Sequence, residues 1–130
     1  MAIVEIPMPS AEWQPDSPIL SVSDLTAQIQ GALEADFSEV WVSGEISGLR
    51  TPSSGHMYFT LKDDQSQLRS VMFRGSARLL RFQPEEGLEV IIRGRIGLYT
   101  PRGDMQLYAS TMEPRGVGAQ QLAFEQLKAR

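Results

Sequence analysis

The chain has 130 residues, 42% of them apolar, and a formal net charge of −4 at pH 7. That is the size of one ordinary domain, long enough to bury a core without staples. The absence of cysteine excludes a disulfide framework and thiolate chemistry, and the single histidine, His56, excludes a His-rich metal site.

The charge is unevenly spread. Residues 1–39 hold seven acids and no Lys or Arg, whereas residues 40–115 hold ten bases against eight acids, a balance of +2. Ten of the twelve bases are Arg, the side chain suited to planar, bidentate phosphate recognition. No basic stretch precedes an apolar run at the start, and no apolar run approaches the about 20 residues of a spanning helix. The expectation is a cytoplasmic protein that makes no membrane contact.

Residues 1–19 contain Pro7, Pro9, Pro15 and Pro18, half of the eight prolines, and read as a flexible tail. Residues 21–35 read as an amphipathic helix. Leu25, Ile29, Ala32 and Leu33 form its apolar stripe, and Ser21 with Asp24 resembles a capping box. Such a helix is expected to cover one side or one end of the strands after it.

From residue 39 the period changes to two. Val40, Val42, Gly44 and Ile46 alternate with Trp41, Ser43 and Glu45 in a first strand, with Trp41 expected to pack against the helix. Gly48 and the cluster Pro52-Ser53-Ser54-Gly55 read as the loop after this strand. Residues 56–62 form a second strand. Met57, Phe59 and Leu61 face one way, and His56, Tyr58, Thr60 and Lys62 the other. After the turn at 63–66, residues 68–73 form a third strand, apolar on both faces apart from Arg69 and Ser70, so its inward face is open by periodicity. Residues 75–82 read as a short helix or irregular connection rich in Arg. Residues 88–99 form a fourth strand, with Val90, Ile92, Ile96 and Leu98 on one face and Arg93, Arg95 and Tyr99 on the other. A turn at 100–104 leads to a fifth strand at 105–112, and residues 119–130 look helical.

Five strands with a helical connection between the third and fourth predict a mainly β fold: a five-stranded OB-type barrel with a leading helix and a C-terminal helical extension. Mid-strand glycines, Gly44 first among them, ease the bends a small barrel needs. A five-stranded open sheet with a helix is the alternative. The expected domain division is a tail at 1–19, a barrel domain with its leading helix at 20–115, and a linker with the start of a helical region at 116–130.

Nothing in the sequence forms a catalytic constellation. Ser54, His56 and Asp63 lack any spacing that marks a triad, Gly-rich phosphate loops are absent, and turn chemistry explains Asp63, Asp64 and Asp104. A binding face is better supported. OB folds take oligonucleotides across strands two and three, with the loops after strands one and four as jaws. Those positions carry His56, Tyr58, Lys62 and Arg69, then Phe73 if it shares the face of Arg69, with Arg74 after it. Arg50 comes from the first loop, and Tyr99 and Arg102 from the last. Single-stranded nucleic acid wants this mixture of cations and ring platforms. The same polar face also suits another ligand or a protein partner. Arg78 and Arg81 with Glu85 and Glu86 suit a solvated surface.

Five runs carry a family resemblance. Trp41-Val42-Ser43-Gly44-Glu45-Ile46-Ser47 opens it. The run Ser54-Gly55-His56-Met57-Tyr58-Phe59-Thr60-Leu61-Lys62-Asp63, then Val71-Met72-Phe73-Arg74, continues it. Leu98-Tyr99-Thr100-Pro101-Arg102-Gly103-Asp104-Met105-Gln106-Leu107 and the closing Glu125-Gln126-Leu127-Lys128 complete it. Together they resemble the exodeoxyribonuclease VII large subunit from about residue 20 onward. Gly48 stands where that family commonly has Asn, and Ser70 where it commonly has Cys.

The resemblance implies an N-terminal OB domain that holds single-stranded DNA for a nuclease that cuts it to oligonucleotides. That enzyme works with a small partner subunit and has its catalytic domain beyond the position of Arg130. This chain is then expected to be non-catalytic alone and to need no cofactor. Its DNA contacts are expected to be Arg50, His56, Tyr58, Lys62, Arg69, Phe73, Arg74, Tyr99 and Arg102. Tyr58 and Phe73 stack, the cations take phosphates, and His56 adds a donor or a third ring. The rival expectation is an interaction module that docks a partner subunit or the rest of the chain, supported by the acidic first helix and the apolar third strand.

Overall fold

Ser21 sets the start of α1 (Val22–Asp36): its Oγ accepts the Asp24 N–H at 3.0 Å, satisfying a donor that a helix start leaves open. This is a computed structural model, and it describes residues 18–99 and 101–116. The apolar stripe of α1 is used only in part. Leu33 packs against the core, while Leu25 and Ile29 remain 49% and 44% exposed.

The helix docks instead through hydrogen bonds to a strand edge. β1 (Val40–Arg50) pairs with β4 (Glu89–Tyr99) as far as Val40 opposite Gly94. Beyond that pair the Ile96 N–H reaches the Phe37 carbonyl at 3.0 Å, and the Leu98 N–H reaches Gln30 Oε1 at 2.7 Å. Backbone donors left by the departing strand are thus satisfied by the helix and its exit. Trp41 does not pack on α1, as the sequence suggested. It is 66% exposed, with the Arg93 guanidinium 6.0 Å from its ring centre, because α1 engages β4 beyond the stretch where β1 lies.

The remaining elements are β2 (Met57–Lys62), β3 (Gln67–Met72), the single turn α2 (Arg74–Ala77) and β5 (Asp104–Pro114). The sheet closes in the order β1-β2-β3-β5-β4. Every neighbouring pair is antiparallel except β3 with β5. This closed barrel, not an open sheet, removes unpaired edges. β1 serves two neighbours: it pairs with β4 up to Glu45 and with β2 from Glu45 onward. Gly44 sits at that handover. A Cβ there would stand 2.8 Å from Leu61 Cγ and 3.0 Å from the Lys62 carbonyl, so only glycine admits the approach.

Alternation along β2 sends Met57, Phe59 and Leu61 inward to join Ile46, Met72, Val90, Ile92 and Leu107. In β3 the inward residues are Leu68, Ser70 and Met72, facing Leu61, Phe59 and Met57. The buried Ser70 hydroxyl donates to the Leu68 carbonyl at 3.0 Å, so its burial leaves no orphan group. Val71 points outward yet is only 3% exposed, which is why periodicity left the face of this strand open. Phe82, from the irregular connection after α2, joins the same core.

Most of the expected tail at 1–19 and the expected helix at 119–130 lie outside the described residues. Among the described residues, no helix is long and apolar enough to cross a membrane.

Candidate nucleic-acid interface

The first strand does not end before Gly48, as the loop residues suggested, but runs on to Arg50 through a bulge. Gly48 adopts φ +63°, the left-handed region that favours glycine, and the register with β2 shifts between Ser47 and Arg50. Glu86, from the loop before β4, holds the bulge. Its carboxylate accepts the Leu49 N–H at 3.0 Å and the Gly48 N–H at 2.8 Å. Those bonds, Leu49 first, hold the Glu86 carboxyl below the usual glutamate range. The sequence offered Glu86 only as part of a solvated surface.

The shifted register sets Arg50 opposite Tyr58, with the guanidinium 5.0 Å from the ring centre. This is cation–π distance. Arg50 and Tyr58 line one groove of about 490 Å³ together with Arg69, Tyr99 and Arg102. Five of the nine expected contact residues therefore converge. Each comes from a different place: the end of β1, the outward faces of β2 and β3, the end of β4 and the turn after it. That turn is closed by the Arg102 and Gly103 N–H groups, which both reach the Tyr99 carbonyl. Thr60 and Gln106 add a hydroxyl and an amide. Gln106 was not among the expected residues.

Three guanidiniums and two phenol rings around one polar groove can pair with phosphate oxygens and offer flat surfaces to bases. The Asp104 carboxylate stands beside it, its Oδ2 3.4 Å from Arg69 Nη1.

The other four expected residues are placed apart from this groove. His56 and Phe73 form a neighbouring ring pair, edge to face, with centroids 5.4 Å apart. His56 Nδ1 accepts the Arg74 N–H at 2.9 Å, so this nitrogen serves the first turn of α2. The Arg74 side chain lines a different cavity, of about 380 Å³, with Gly55, Met57, Arg78 and Phe82. Lys62 borders a hollow of about 250 Å³ with Val42, Leu68 and Met105, near enough to Glu86 for its charge to be felt there. The division comes from the pleat and the chain path: α2 begins at Arg74 and turns away from the β3 face that carries Arg69.

Two residues outside the expected set complete the neighbourhood. Tyr108 of β5 lies 6.0 Å from Phe73, ring centre to ring centre, and the Arg95 guanidinium stands 4.2 Å from the centre of the Tyr108 ring. Their sequence signal was parity: Asp104, Gln106 and Tyr108 alternate with the buried Leu107 and Ala109. A further cavity of about 470 Å³ is lined by Leu79, Leu80, Phe82 and Met112, with Arg81 and Glu113 as its charged residues. One cation beside one anion in an apolar wall is no track for a phosphate chain.

Comparison with known proteins agrees with this architecture. A family model described as an OB-fold nucleic acid binding domain matches residues 20–113. The exodeoxyribonuclease 7 large subunit of Geobacter metallireducens is 57% identical over 119 residues, which is 92% of this chain and 26% of that protein. That of Koribacter versatilis is 54% identical over 116 residues, covering 89% of this chain and 26% of that protein. The chain thus spans about a quarter of the length of these relatives.

Among solved structures, a replication protein A heterotrimer bound to ssDNA superposes with a TM-score of 0.51 at 8% identity, over 71% of this chain and 70% of that one. Entamoeba histolytica asparaginyl-tRNA synthetase gives 0.53 at 13% identity, over 66% of this chain and 23% of that one. At such identities the likeness is one of fold. The barrel order, the parallel β3–β5 pair and the extent of the match lead to one conclusion: this chain belongs to the family of OB-fold nucleic acid binding domains, in the form shared with exodeoxyribonuclease 7 large subunits.

Proposed function

We propose that the groove between Arg50, Tyr58, Arg69, Tyr99 and Arg102 binds single-stranded DNA. We further propose that the domain presents this DNA to the nuclease centre of an exodeoxyribonuclease VII large subunit in the cytoplasm. The observation that carries the reading is the Arg50 guanidinium 5.0 Å over the Tyr58 ring in a groove lined by two more arginines. A guanidinium laid on a ring keeps its in-plane donors free, so one unit meets a phosphate while the other ring face meets a base. Phe73 and His56 extend the contact surface beside the groove, and Lys62 and Arg74 contribute at longer range. In the parent enzyme, cleavage to oligonucleotides and the contact with a small subunit belong to the rest of the protein. The 130-residue chain alone binds without cutting.

The test is fluorescence anisotropy of a labelled oligothymidylate at two salt concentrations, with a duplex of equal length as competitor. Binding that weakens as salt rises, with preference for the single strand, supports the reading. No binding at low salt, or binding indifferent to salt, would falsify it.

A further inference from the structure

The outer wall of the barrel repeats one chemical unit. In β1 and β2, Arg50 lies on Tyr58; in β4 and β5, Arg95 lies on Tyr108. The two units share one row of the sheet. Tyr58 stands opposite Val71 across the β2–β3 pair, Val71 opposite Tyr108 across the β3–β5 pair, and Tyr108 opposite Arg95 across the β5–β4 pair. The row reads Arg50, Tyr58, Val71, Tyr108, Arg95. Its two tyrosines are separated by two interstrand spacings, about 10 Å. Val71 between them is 3% exposed, so the floor of the row is closed. Phe73, on the same face, is 47% exposed and leans on Tyr108, which braces it from the side.

We infer that Arg95 and Tyr108, with Phe73, form a second base-and-phosphate subsite, so that a single strand crosses the wall from β2 over β3 onto β5. This inference rests on the reading of the groove as a single-stranded DNA site. A ligand with one base and one phosphate has no use for the same unit twice. A polymer that repeats base and phosphate does, and single-strand sites of about 4–16 nucleotides per OB fold have room for both. Phe73 supplies the exposed platform. Tyr108 holds it and orients Arg95, whose in-plane N–H groups stay free for a phosphate while its face is stacked. The strand ladder, rather than a loop, sets the spacing of the two units, so the subsite is preformed.

The experiment uses the 130-residue chain and an oligothymidylate of about 12 nucleotides, within the site sizes of OB folds. Tyr108→Phe keeps the ring and is expected to bind more tightly than Tyr108→Leu. Tyr108→Leu keeps apolar volume but loses the ring that braces Phe73 and lies under Arg95, and weakens binding about tenfold, within the range for one stacked base. Arg95→Gln lowers the slope of log affinity against log salt by about 0.7, the value for one phosphate contact on a single strand. Thermal midpoints measured alongside separate loss of fold from loss of contact. If Tyr58→Ala weakens binding while Tyr108→Leu and Arg95→Gln leave affinity and slope unchanged, the second subsite is overturned and the groove stands. If the wild-type chain binds no oligothymidylate, both are overturned.

Discussion

Asp104, the first residue of β5, holds its carboxylate 3.4 Å from the guanidinium of Arg69 on β3, beside a groove whose lining charges are otherwise arginines. Both partners are well exposed, so the pair contributes about 0–1 kcal/mol to stability. Its effect on binding is larger in kind, because the carboxylate occupies the donors a phosphate needs. Asp104→Asn frees Arg69 and removes a repelling charge. Affinity for single-stranded DNA is expected to rise about two- to fivefold with the thermal midpoint unchanged. Weaker binding in the same titration would mean that Asp104 presents Arg69 to the ligand.

Tyr58 and Arg50 separate the stacking and phosphate terms. Tyr58→Ala is expected to cost about 1–3 kcal/mol of binding at any salt concentration. Arg50→Gln is expected to cost affinity mainly at low salt and to lower the salt slope by about 0.7. A salt series on each variant distinguishes the two; identical profiles would contradict the assigned roles.

Glu86 links the bulge to the groove. Its carboxyl is held below the usual glutamate range by the Leu49 and Gly48 N–H groups, so its ionised form is the one the fold favours. That stabilisation is present above the ordinary glutamate pKa and is lost as pH falls through the lowered one. Glu86→Gln is therefore expected to flatten the acid limb of the thermal midpoint, in the region below the usual glutamate range. Asp63, lowered in the same sense by its bonds from Gln65 and Ser66, leaves a residual acid dependence. Glu86→Ala should also weaken DNA binding by freeing the bulge that sets Arg50. In an Arg50→Ala background it should add nothing, and full additivity in that double-mutant cycle would refute the coupling.

Gln30 is the side chain by which α1 completes the β4 edge. Gln30→Ala leaves the Leu98 N–H unpaired at a partly buried position, at a cost of about 1–2 kcal/mol. Chemical denaturation should show a lower midpoint with an unchanged slope.

The acidic N-terminal stretch gives a charge test that needs no structural detail. Removing residues 1–19 removes Glu5, Glu12 and Asp16. With fewer negative charges facing a polyanion, affinity for single-stranded DNA is expected to rise slightly at low salt and not at high salt. Looser binding after the deletion would mean that the stretch makes contacts of its own.

Local chemistry decides the features that are legible along the chain. Ser21 before an apolar 3.6-residue period marks a helix start, and strict alternation from Met57 to Leu61 declares its own inward face. The spacing of five strands around one short helical connection predicts the barrel, and the long motif runs predict the family. The rest depends on partners distant in the chain. β3 carries apolar residues on both sides, and its inward face became legible only when Ser70 was set against Phe59 and Val71 between Tyr58 and Tyr108. Gly48 reads as loop until Glu86, 38 residues away, is seen to hold it as a bulge. Arg74 and Arg69 look alike in sequence, yet α2 starts at Arg74 and carries it to another cavity. Arg95 and Tyr108 meet only because β4 and β5 pair in that register. Periodicity is a local property of a strand, whereas which side chains share a groove is set by long-range register, and register exists only once the barrel has closed.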